Sequence, residues 1–298
     1  MAVPAHLVAT PVLERASGER TGVVLGAGAT AAWVDLDGFV VAVTTREVPL
    51  LPNAVALAAG SGVLARPGIG PGAPARLAPG RVDLGPLRVT WDPAAPPAWD
   101  PTVRVPPDVG RDSVAGRGAA LLRALGVDAP GSAALVGELA RIGLPTAVDP
   151  DGAAALRLLL QGVRERDPVP AAAGARELLG RGPGLTPEGD DLLAAVAGTL
   201  AVLGPATGLD GPDRAALLAA VAPAAGRTTA LSATLLALAA AGRLPEPAGR
   251  LLDLGPDGEA AWPAALARLE RLGHGSGRAY AAGIAVASGL LATGSPAE

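Results

Sequence analysis

Residues 180–203 read GRGPGLTPEGDDLLAAVAGTLAVL, a glycine-rich loop that runs directly into an apolar segment. Thr186 is a suitable N-cap residue, because its hydroxyl can accept a hydrogen bond from an amide in the first helical turn. Pro187 suits the first helical position, where no amide hydrogen is needed. The acidic residues that follow are favoured by the positive end of the helix dipole. The stretch therefore predicts a loop-to-helix junction with a buried helix over 192–203.

Two features of this junction are compatible with a functional site as well as with a capped helix. Asp190 and Asp191 lie at the edge of an apolar run, where desolvation makes unpaired charge costly. Glycines at 180, 182 and 184 permit positive φ or the close approach of another group. Adjacent helical side chains point about 100° apart, so we expect only one aspartate, Asp190, to face a site.

Two more segments repeat the pattern, 225–232 (AGRTTALS) and 272–277 (LGHGSG). In each, glycine precedes hydroxyl side chains and an Ala/Leu-rich helix follows. The hydroxyls could act only as helix caps or bond back to carbonyl oxygens. If the three helix starts meet, their amides and dipoles form an anion site. The residues that they would offer to a small anion are Gly182, Gly184, Thr186, Gly189, Arg227, Thr228, Thr229, Ser232, Gly273, Ser276 and Gly277.

His274 is the candidate acid–base residue of these segments. It is the only histidine besides His6, and it lies between two glycines. Its unperturbed pKa suits proton transfer near neutrality, although an exposed loop histidine is the simpler interpretation. With His274, Asp190 and Asp191 complete the set of candidate catalytic residues.

A bound anion would be repelled by Asp190 and Asp191 unless a cation lies between them. One solution is Mg²⁺ held by these two carboxylates. Another is that they organise Arg181 or Arg227, and Arg227 has the fork geometry that suits phosphate or carboxylate. Both alternatives stay open.

Composition excludes several classes of function. The 298 residues carry a net charge of −4 and no basic stripe, which argues against a nucleic-acid partner. There is no cysteine and no lysine, which excludes disulfides, thiolate catalysis, Schiff-base (PLP) chemistry and a Walker lysine. Nothing indicates a nucleotide, flavin or haem. No segment predicts a membrane span or signal peptide, so we expect a cytoplasmic protein.

The order of the pattern predicts an α+β protein, with an N-terminal antiparallel β domain, barrel- or sandwich-like, followed by a mostly α-helical domain. Strand patterns lie at 22–26, 30–36, 39–45, 82–84 and 87–91, and glycine- and proline-rich residues 60–80 indicate a loop with at most fragments of strand. Asp37-Gly38 is a strong hairpin signal between 30–36 and 39–45. Proline-rich residues 92–107 form a linker, so we place the domains at 1–107 and 108–298. Helices are predicted near 111–125, 132–142, 151–165, 192–203, 213–221, 229–241, 263–272 and 277–291.

The three junctions resemble the family of the AllH subunit of oxamate carbamoyltransferase. The resemblance rests on Gly-Leu-Thr-Pro-x-Gly-Asp-Asp at 184–191, on Arg227-Thr228-Thr229 with Ser232, and on Gly-His-x-Ser-Gly at 273–277. It covers most of the chain, with a strand-rich first part and a helical second part. Gly275 and Arg278 depart from the family pattern, which expects a second serine and an apolar or aromatic residue, and both departures lie in or beside the third junction, which leaves a different substrate open.

The resemblance implies carbamoyl transfer from oxalurate to phosphate, giving oxamate and carbamoyl phosphate in purine (allantoin) breakdown. It also implies other carbamoyltransferase subunits as partners. We therefore expect a small anionic ligand such as phosphate, carbamoyl phosphate or a carboxylate, with Mg²⁺ as the metal if one binds, and an oligomer is compatible with this expectation. Two alternatives remain: a non-catalytic subunit that docks a partner, and a stand-alone lyase or cyclase of specialised metabolism with the same anion pocket.

Overall fold

The computed structural model describes residues 2–127, 134–222, 227–273 and 275–293. The chain divides into two compact units, Met1–Pro101 and Thr102–Glu298, and the division falls inside the proline-rich segment 92–107. Strands dominate the first unit and helices the second, which confirms the predicted fold class. The exact domain boundary at residue 107 stays a prediction.

The strands of the first unit close into a barrel. In the described residues, eight strands follow one another in the order β5-β4-β3-β2-β6-β7-β8-β1, and β1 pairs with β5 to close the ring, while β9 pairs with β1. The unit consists of β1 (Ala2–Ala9), α1 (Thr10–Arg15), β2 (Arg20–Ala27), β3 (Ala31–Leu36), β4 (Phe39–Thr44), β5 (Ala54–Leu57), β6 (Pro74–Ala78), β7 (Arg81–Leu84), β8 (Leu87–Thr90) and β9 (Ala98–Trp99).

The barrel is mixed, although most neighbouring strands are antiparallel as predicted. The β1–β8, β1–β9 and β4–β5 pairs are parallel. Parallel strands cannot be joined by a tight hairpin turn and need a longer connection, so no local turn pattern predicts these three pairs. The strands β1, β5 and β9 were not predicted, and β6 lies in the segment 60–80 that the sequence indicated as loop.

The hairpin at Asp37-Gly38 is confirmed. The strands β3 and β4 pair with Leu36 opposite Phe39, and the turn residues have φ of 55° and 81°. Positive φ at both turn positions matches the twist of the flanking strands. The Oδ1 atom of Asp35 accepts a hydrogen bond of 2.9 Å from the Gly38 amide, which stabilises the turn.

Each of the eight predicted helices overlaps a helix of the second unit. The unpredicted helices α4, α6 and α10 all have proline in their first turn, where it breaks the apolar pattern without breaking the helix. The helices are α2 (Arg111–Ala124), α3 (Leu135–Arg141), α4 (Pro145–Val148), α5 (Pro150–Glu165), α6 (Pro168–Leu178), α7 (Glu188–Leu203), α8 (Gly211–Val221), α9 (Ala230–Ala240), α10 (Glu246–Leu252), α11 (Pro256–Leu269) and α12 (Ser276–Thr293), with a 3₁₀ turn at Pro205–Thr207.

The helices α7 and α12 form the centre of this unit. Both are buried around most of their circumference, which explains why their alanine-rich sequences show no clear apolar face. Small residues let them approach closely: a Cβ added at Gly283 would lie 2.6 Å from the Ala195 Cβ. Their contact brings the N-termini of the two helices to neighbouring positions.

Among the described residues, no helix combines the length and the apolarity that a membrane span requires.

The close approach of α7 and α12 predicts opposite effects for two glycine-to-alanine changes in α12. We expect Gly283→Ala to lower the free energy of unfolding by about 1–3 kcal/mol, because its Cβ would overlap Ala195. Gly289→Ala is the matched control: no described atom lies within 4 Å of its Cβ position, so it should raise stability by up to about 1 kcal/mol through helix propensity. Urea unfolding measures both, and equal effects would contradict the packing described.

Candidate functional site

The loop between α6 and α7 adopts the backbone conformation that its glycines allow. Gly180, Gly182 and Gly184 have φ of 74°, 114° and 96°. A side chain at Gly180 would also meet the Arg227 carbonyl oxygen, which lies 2.3 Å from the Cβ position. Both predicted reasons for glycine, positive φ and close approach, therefore hold in this loop.

The cap of α7 differs from the prediction. The helix begins at Glu188 with Pro187 as N-cap residue, and the amides of Asp190 and Asp191 bond to the Pro187 carbonyl. Thr186 is one residue too far from these amides to cap the helix. Its Oγ1 atom lies instead 3.0 Å from the Ser276 Oγ atom, in a hydrogen bond that joins the starts of α7 and α12.

Asp190 holds the loop to the second junction. Its side chain is buried, with Oδ1 accepting a hydrogen bond of 2.7 Å from the Gly180 amide and Oδ2 accepting one from the Thr228 hydroxyl. It does not line the cavity described below. Asp190 therefore does not face this cavity as expected, because both of its oxygens are used to tie two segments together.

The second junction is fastened to the loop from its other side as well. Thr229 is the N-cap residue of α9, accepting a hydrogen bond of 3.1 Å from the Ser232 amide, and its hydroxyl donates to the Leu185 carbonyl at 2.6 Å. The Ser232 hydroxyl is buried and makes no hydrogen bond within the described part of the chain. Thr228 and Thr229 thus act structurally, on the loop.

The third junction brings Gly273, Ser276 and Gly277 to the same place. The helix α12 begins at Ser276. A Cβ at Gly277 would lie 1.7 Å from the Leu269 carbonyl oxygen, so this glycine permits close packing of α12 on the end of α11. His274 lies outside the described residues. The predicted meeting of the three junctions is thus observed through hydrogen bonds.

A cavity of about 550 Å³ opens at this meeting point. Its lining comes from three segments, the α4 region, the glycine-rich loop with the start of α7, and the start of α12: Pro145, Thr146, Asp149, Arg181, Gly182, Pro183, Gly184, Leu185, Thr186, Glu188, Asp191, Gly273, Gly275 and Ser276. Six of the predicted site residues are among them, namely Gly182, Gly184, Thr186, Asp191, Gly273 and Ser276.

In addition to Asp190, six predicted site residues that the structure describes do not line the cavity. Gly189 and Gly277 serve packing, since a Cβ at Gly189 would lie 2.2 Å from the Leu178 carbonyl oxygen. The side chain of Arg227 is 57% exposed and only 3.9 Å from Glu177, so it is a surface residue and not the cation of the cavity. The remaining three are Thr228, Thr229 and Ser232.

Eight cavity residues were not among the predicted site residues, and four of these eight have polar side chains. Arg181 forms an ion pair with Asp149, and the Glu188 Oε1 atom accepts a hydrogen bond of 2.7 Å from the Thr146 amide. Arg181 and Glu188 belong to the quoted loop, so the sequence pointed to them by position. Thr146 and Asp149 carry no motif, and only the tertiary contact of the α4 region with the loop brings them to the cavity.

Asp191 is the buried acid of the cavity. It is 3% exposed, and its Oδ2 atom has no hydrogen-bond partner among the described residues. Burial raises the pKa of its carboxyl from 3.8 to about 8. A hydrogen bond with Ser276 lowers this pKa, whereas the nearby charges of Asp190 and Glu188 raise it. Burial and the charge of Asp191 also raise the pKa of Tyr280. At neutral pH Asp191 is therefore mainly a carboxylic acid that can donate a hydrogen bond.

The geometry does not place Asp190 and Asp191 on one ion. Asp191 lines the cavity while Asp190 points to Gly180 and Thr228. In the ranges that the structure describes, no three or more histidine, aspartate or glutamate side chains are grouped to hold a metal. The Mg²⁺ site predicted at this pair stays a prediction.

The contacts of Asp190 predict a structural cost for an isosteric change. Asp190→Asn keeps one acceptor oxygen but turns an NH₂ group towards one of two donors, the Gly180 amide or the Thr228 hydroxyl. We expect the free energy of unfolding to fall by about 2–3 kcal/mol, the cost of an unsatisfied buried group. Urea unfolding measures this change, with Glu177→Gln on the exposed surface as the control. A change below that of the control would argue against the bridge.

The raised pKa of Asp191 predicts the pH dependence of stability. The folded protein holds this proton more tightly than the unfolded chain, so the stabilisation is complete below about pH 4 and is lost as the pH rises towards 8. Asp191→Asn lacks this proton. Its free energy of unfolding should therefore rise relative to that of the unchanged protein by about 2–3 kcal/mol between pH 5 and pH 7.

Urea unfolding at several pH values measures the two curves. Asp151→Asn, at an exposed position of the same unit, is the control and should run parallel to the unchanged protein. Parallel curves for Asp191→Asn would mean that this carboxyl titrates alike in the folded and unfolded chains.

Comparison with known protein families gives a match to this part of the chain. The family model described as "Oxamate carbamoyltransferase subunit AllH" matches residues 178–288, a little over a third of the chain and less than the resemblance implied. Neither a curated protein nor a solved structure matches the chain. The predicted resemblance to the AllH family is thus confirmed over residues 178–288, the segment that contains the glycine-rich loop and the starts of α7, α9 and α12.

Proposed function

We propose that this chain is a subunit of an oxamate carbamoyltransferase-like enzyme and that the cavity binds its small substrate. One observation carries the proposal: the segment that matches the AllH family contains the loop 181–188, Asp191 and the residues 273–276. Most of the cavity lining therefore lies in the part of the chain that the family shares. Only Pro145, Thr146 and Asp149 come from outside that segment.

The proposed reaction transfers a carbamoyl group between two anions. A phosphate oxygen attacks the carbamoyl carbon of oxalurate, the bond from that carbon to the oxamate nitrogen breaks, and the nitrogen takes up a proton. The products are oxamate and carbamoyl phosphate. Catalysis needs a donor for the developing oxyanion and an acid for the leaving nitrogen.

Asp191 has the properties of that acid. Its carboxyl is protonated at neutral pH and its Oδ2 atom has no partner among the described residues, so it can donate to a bound oxygen or nitrogen. This removes the repulsion expected between the aspartates and an anion, since Asp190 lies behind the loop and Asp191 is neutral. His274 stays the second proposed acid–base residue, because both of its chain neighbours line the cavity.

Further parts of the proposal come with the family name. The word subunit implies partner chains, and we propose that other carbamoyltransferase subunits complete the enzyme in the cytoplasm, in purine degradation. Mg²⁺ could assist by neutralising phosphate. The competing proposal, a docking subunit without a ligand site, makes the opposite prediction for ligand binding by the isolated chain.

A thermal-shift experiment tests whether the cavity binds these substrates. The ligands are phosphate, carbamoyl phosphate, oxamate and oxalurate, each with and without Mg²⁺. A ligand at a hundredfold excess over its Kd stabilises the folded state by about 2.7 kcal/mol, and each kcal/mol raises Tm by about 2–4 °C. We expect a shift with at least one of the four, and a smaller shift in Asp191→Ala, which removes the hydrogen-bond donor that an asparagine amide would keep.

Asp151→Asn serves as the control, because this exposed aspartate lies outside the cavity lining. No shift with any ligand, in the isolated chain, would reject the substrate-binding proposal and favour the docking subunit. Pull-down of partner chains would then be the decisive measurement.

A further inference from the structure

Arg181 is the one arginine in the lining of the cavity, as far as the described residues show. Its backbone is held at both ends, because its amide donates to the Leu178 carbonyl at 3.0 Å and its carbonyl accepts from the Gly189 amide at 2.9 Å. Its side chain is 30% exposed, so the guanidinium is accessible from the cavity. A loop of fixed conformation thus presents this cation.

The guanidinium of Arg181 has hydrogen-bonding capacity left over. Its Nε donates to the Glu177 carbonyl at 3.3 Å, and its Nη1 pairs with the Asp149 Oδ2 atom. Within the described part of the chain, Nη2 makes no hydrogen bond. A guanidinium binds an oxyanion best with two parallel N–H groups, and Asp149 competes with such an anion for Nη1.

Asp149 can release Arg181 without losing its structural role. It is the N-cap residue of α5, where its Oδ2 atom accepts a hydrogen bond of 2.9 Å from the Gly152 amide. That cap does not need the ion pair. The carboxylate is 45% exposed, so water can solvate it after the pair separates, and a pair of this exposure contributes little stability.

We infer that Arg181 binds the anionic group of the ligand and that Asp149 forms an ion pair with Arg181 while the cavity is empty. The inference rests on the proposed function and adds to it the residue that holds the oxyanion, carboxylate or phosphate. It replaces Arg227, which is exposed and outside the cavity. Asp149 then lowers affinity, because an incoming anion must displace it and because its negative charge stays nearby.

Isothermal titration calorimetry at constant ionic strength tests this arrangement, with inorganic phosphate and with oxamate as separate probes. The two probes show whether the site takes phosphate, carboxylate or both. We expect Arg181→Gln to weaken binding about tenfold or more, the value of charge-assisted hydrogen bonds. Arg181→Lys keeps the positive charge without the forked geometry, so its affinity should lie between those of the unchanged protein and Arg181→Gln.

Asp149→Asn is the more discriminating variant. Asparagine keeps the N-cap of α5 but not the charge, so it frees Arg181 without unfolding the helix. We expect both probes to bind about two- to fivefold more tightly, the range for an ion pair of this exposure. Arg176→Gln, an exposed charge on α6 outside the cavity, is the matched control and should leave both affinities unchanged.

The outcomes separate this inference from the proposed function. If a probe binds the unchanged protein and Arg181→Gln binds it equally well, the cavity has a ligand and Arg181 is not its anchor. Loss of binding in Arg227→Gln instead would restore the sequence-based assignment and overturn the inference. If neither probe, carbamoyl phosphate nor oxalurate binds any variant, Asp149→Asn included, both the inference and the proposed function fail.

Discussion

The carboxylate of Asp190 is the interaction on which the candidate site depends. It accepts from the Gly180 amide and from the Thr228 hydroxyl, and so joins the start of the glycine-rich loop, the first turn of α7 and the segment before α9. A buried carboxylate with both oxygens paired is costly to disturb, because either donor would be left without a partner. This bridge sets the path of the loop and hence the shape of the cavity in front of it.

The second constraint is the small separation between α7 and α12. Alanine and glycine at their contact allow the backbones to approach, and the starts of both helices then face one cavity, linked by the hydrogen bond of Thr186 with Ser276. The same composition removes the apolar stripe by which an amphipathic helix is usually recognised. The alanine and glycine residues therefore explain both the close packing of the helices and the lack of an apolar stripe in their sequences.

The adjacent residues Asp190 and Asp191 have different hydrogen-bonding and protonation states in the folded protein. Asp190 is satisfied by two donors, while Asp191 faces the cavity with one oxygen unpaired, and its desolvation favours the protonated form. The division gives the site a structural carboxylate and a proton donor side by side. The two candidate arginines also differ. Arg227 is exposed at the surface, whereas Arg181 lines the cavity and pairs with Asp149.

The sequence by itself determined the features that depend on a few neighbouring residues: the order of strands before helices, the Asp37-Gly38 hairpin, the positive φ of Gly180, Gly182 and Gly184, and the three glycine-plus-hydroxyl helix starts. Only the tertiary structure decided how β1 closes the barrel, which aspartate faces the cavity, and that Thr146 and Asp149 join the site. Steric constraints on the backbone act between close neighbours in the chain, so they can be predicted from the order of the residues. Burial and pairing between distant segments depend on packing, which assigns different roles to identical side chains.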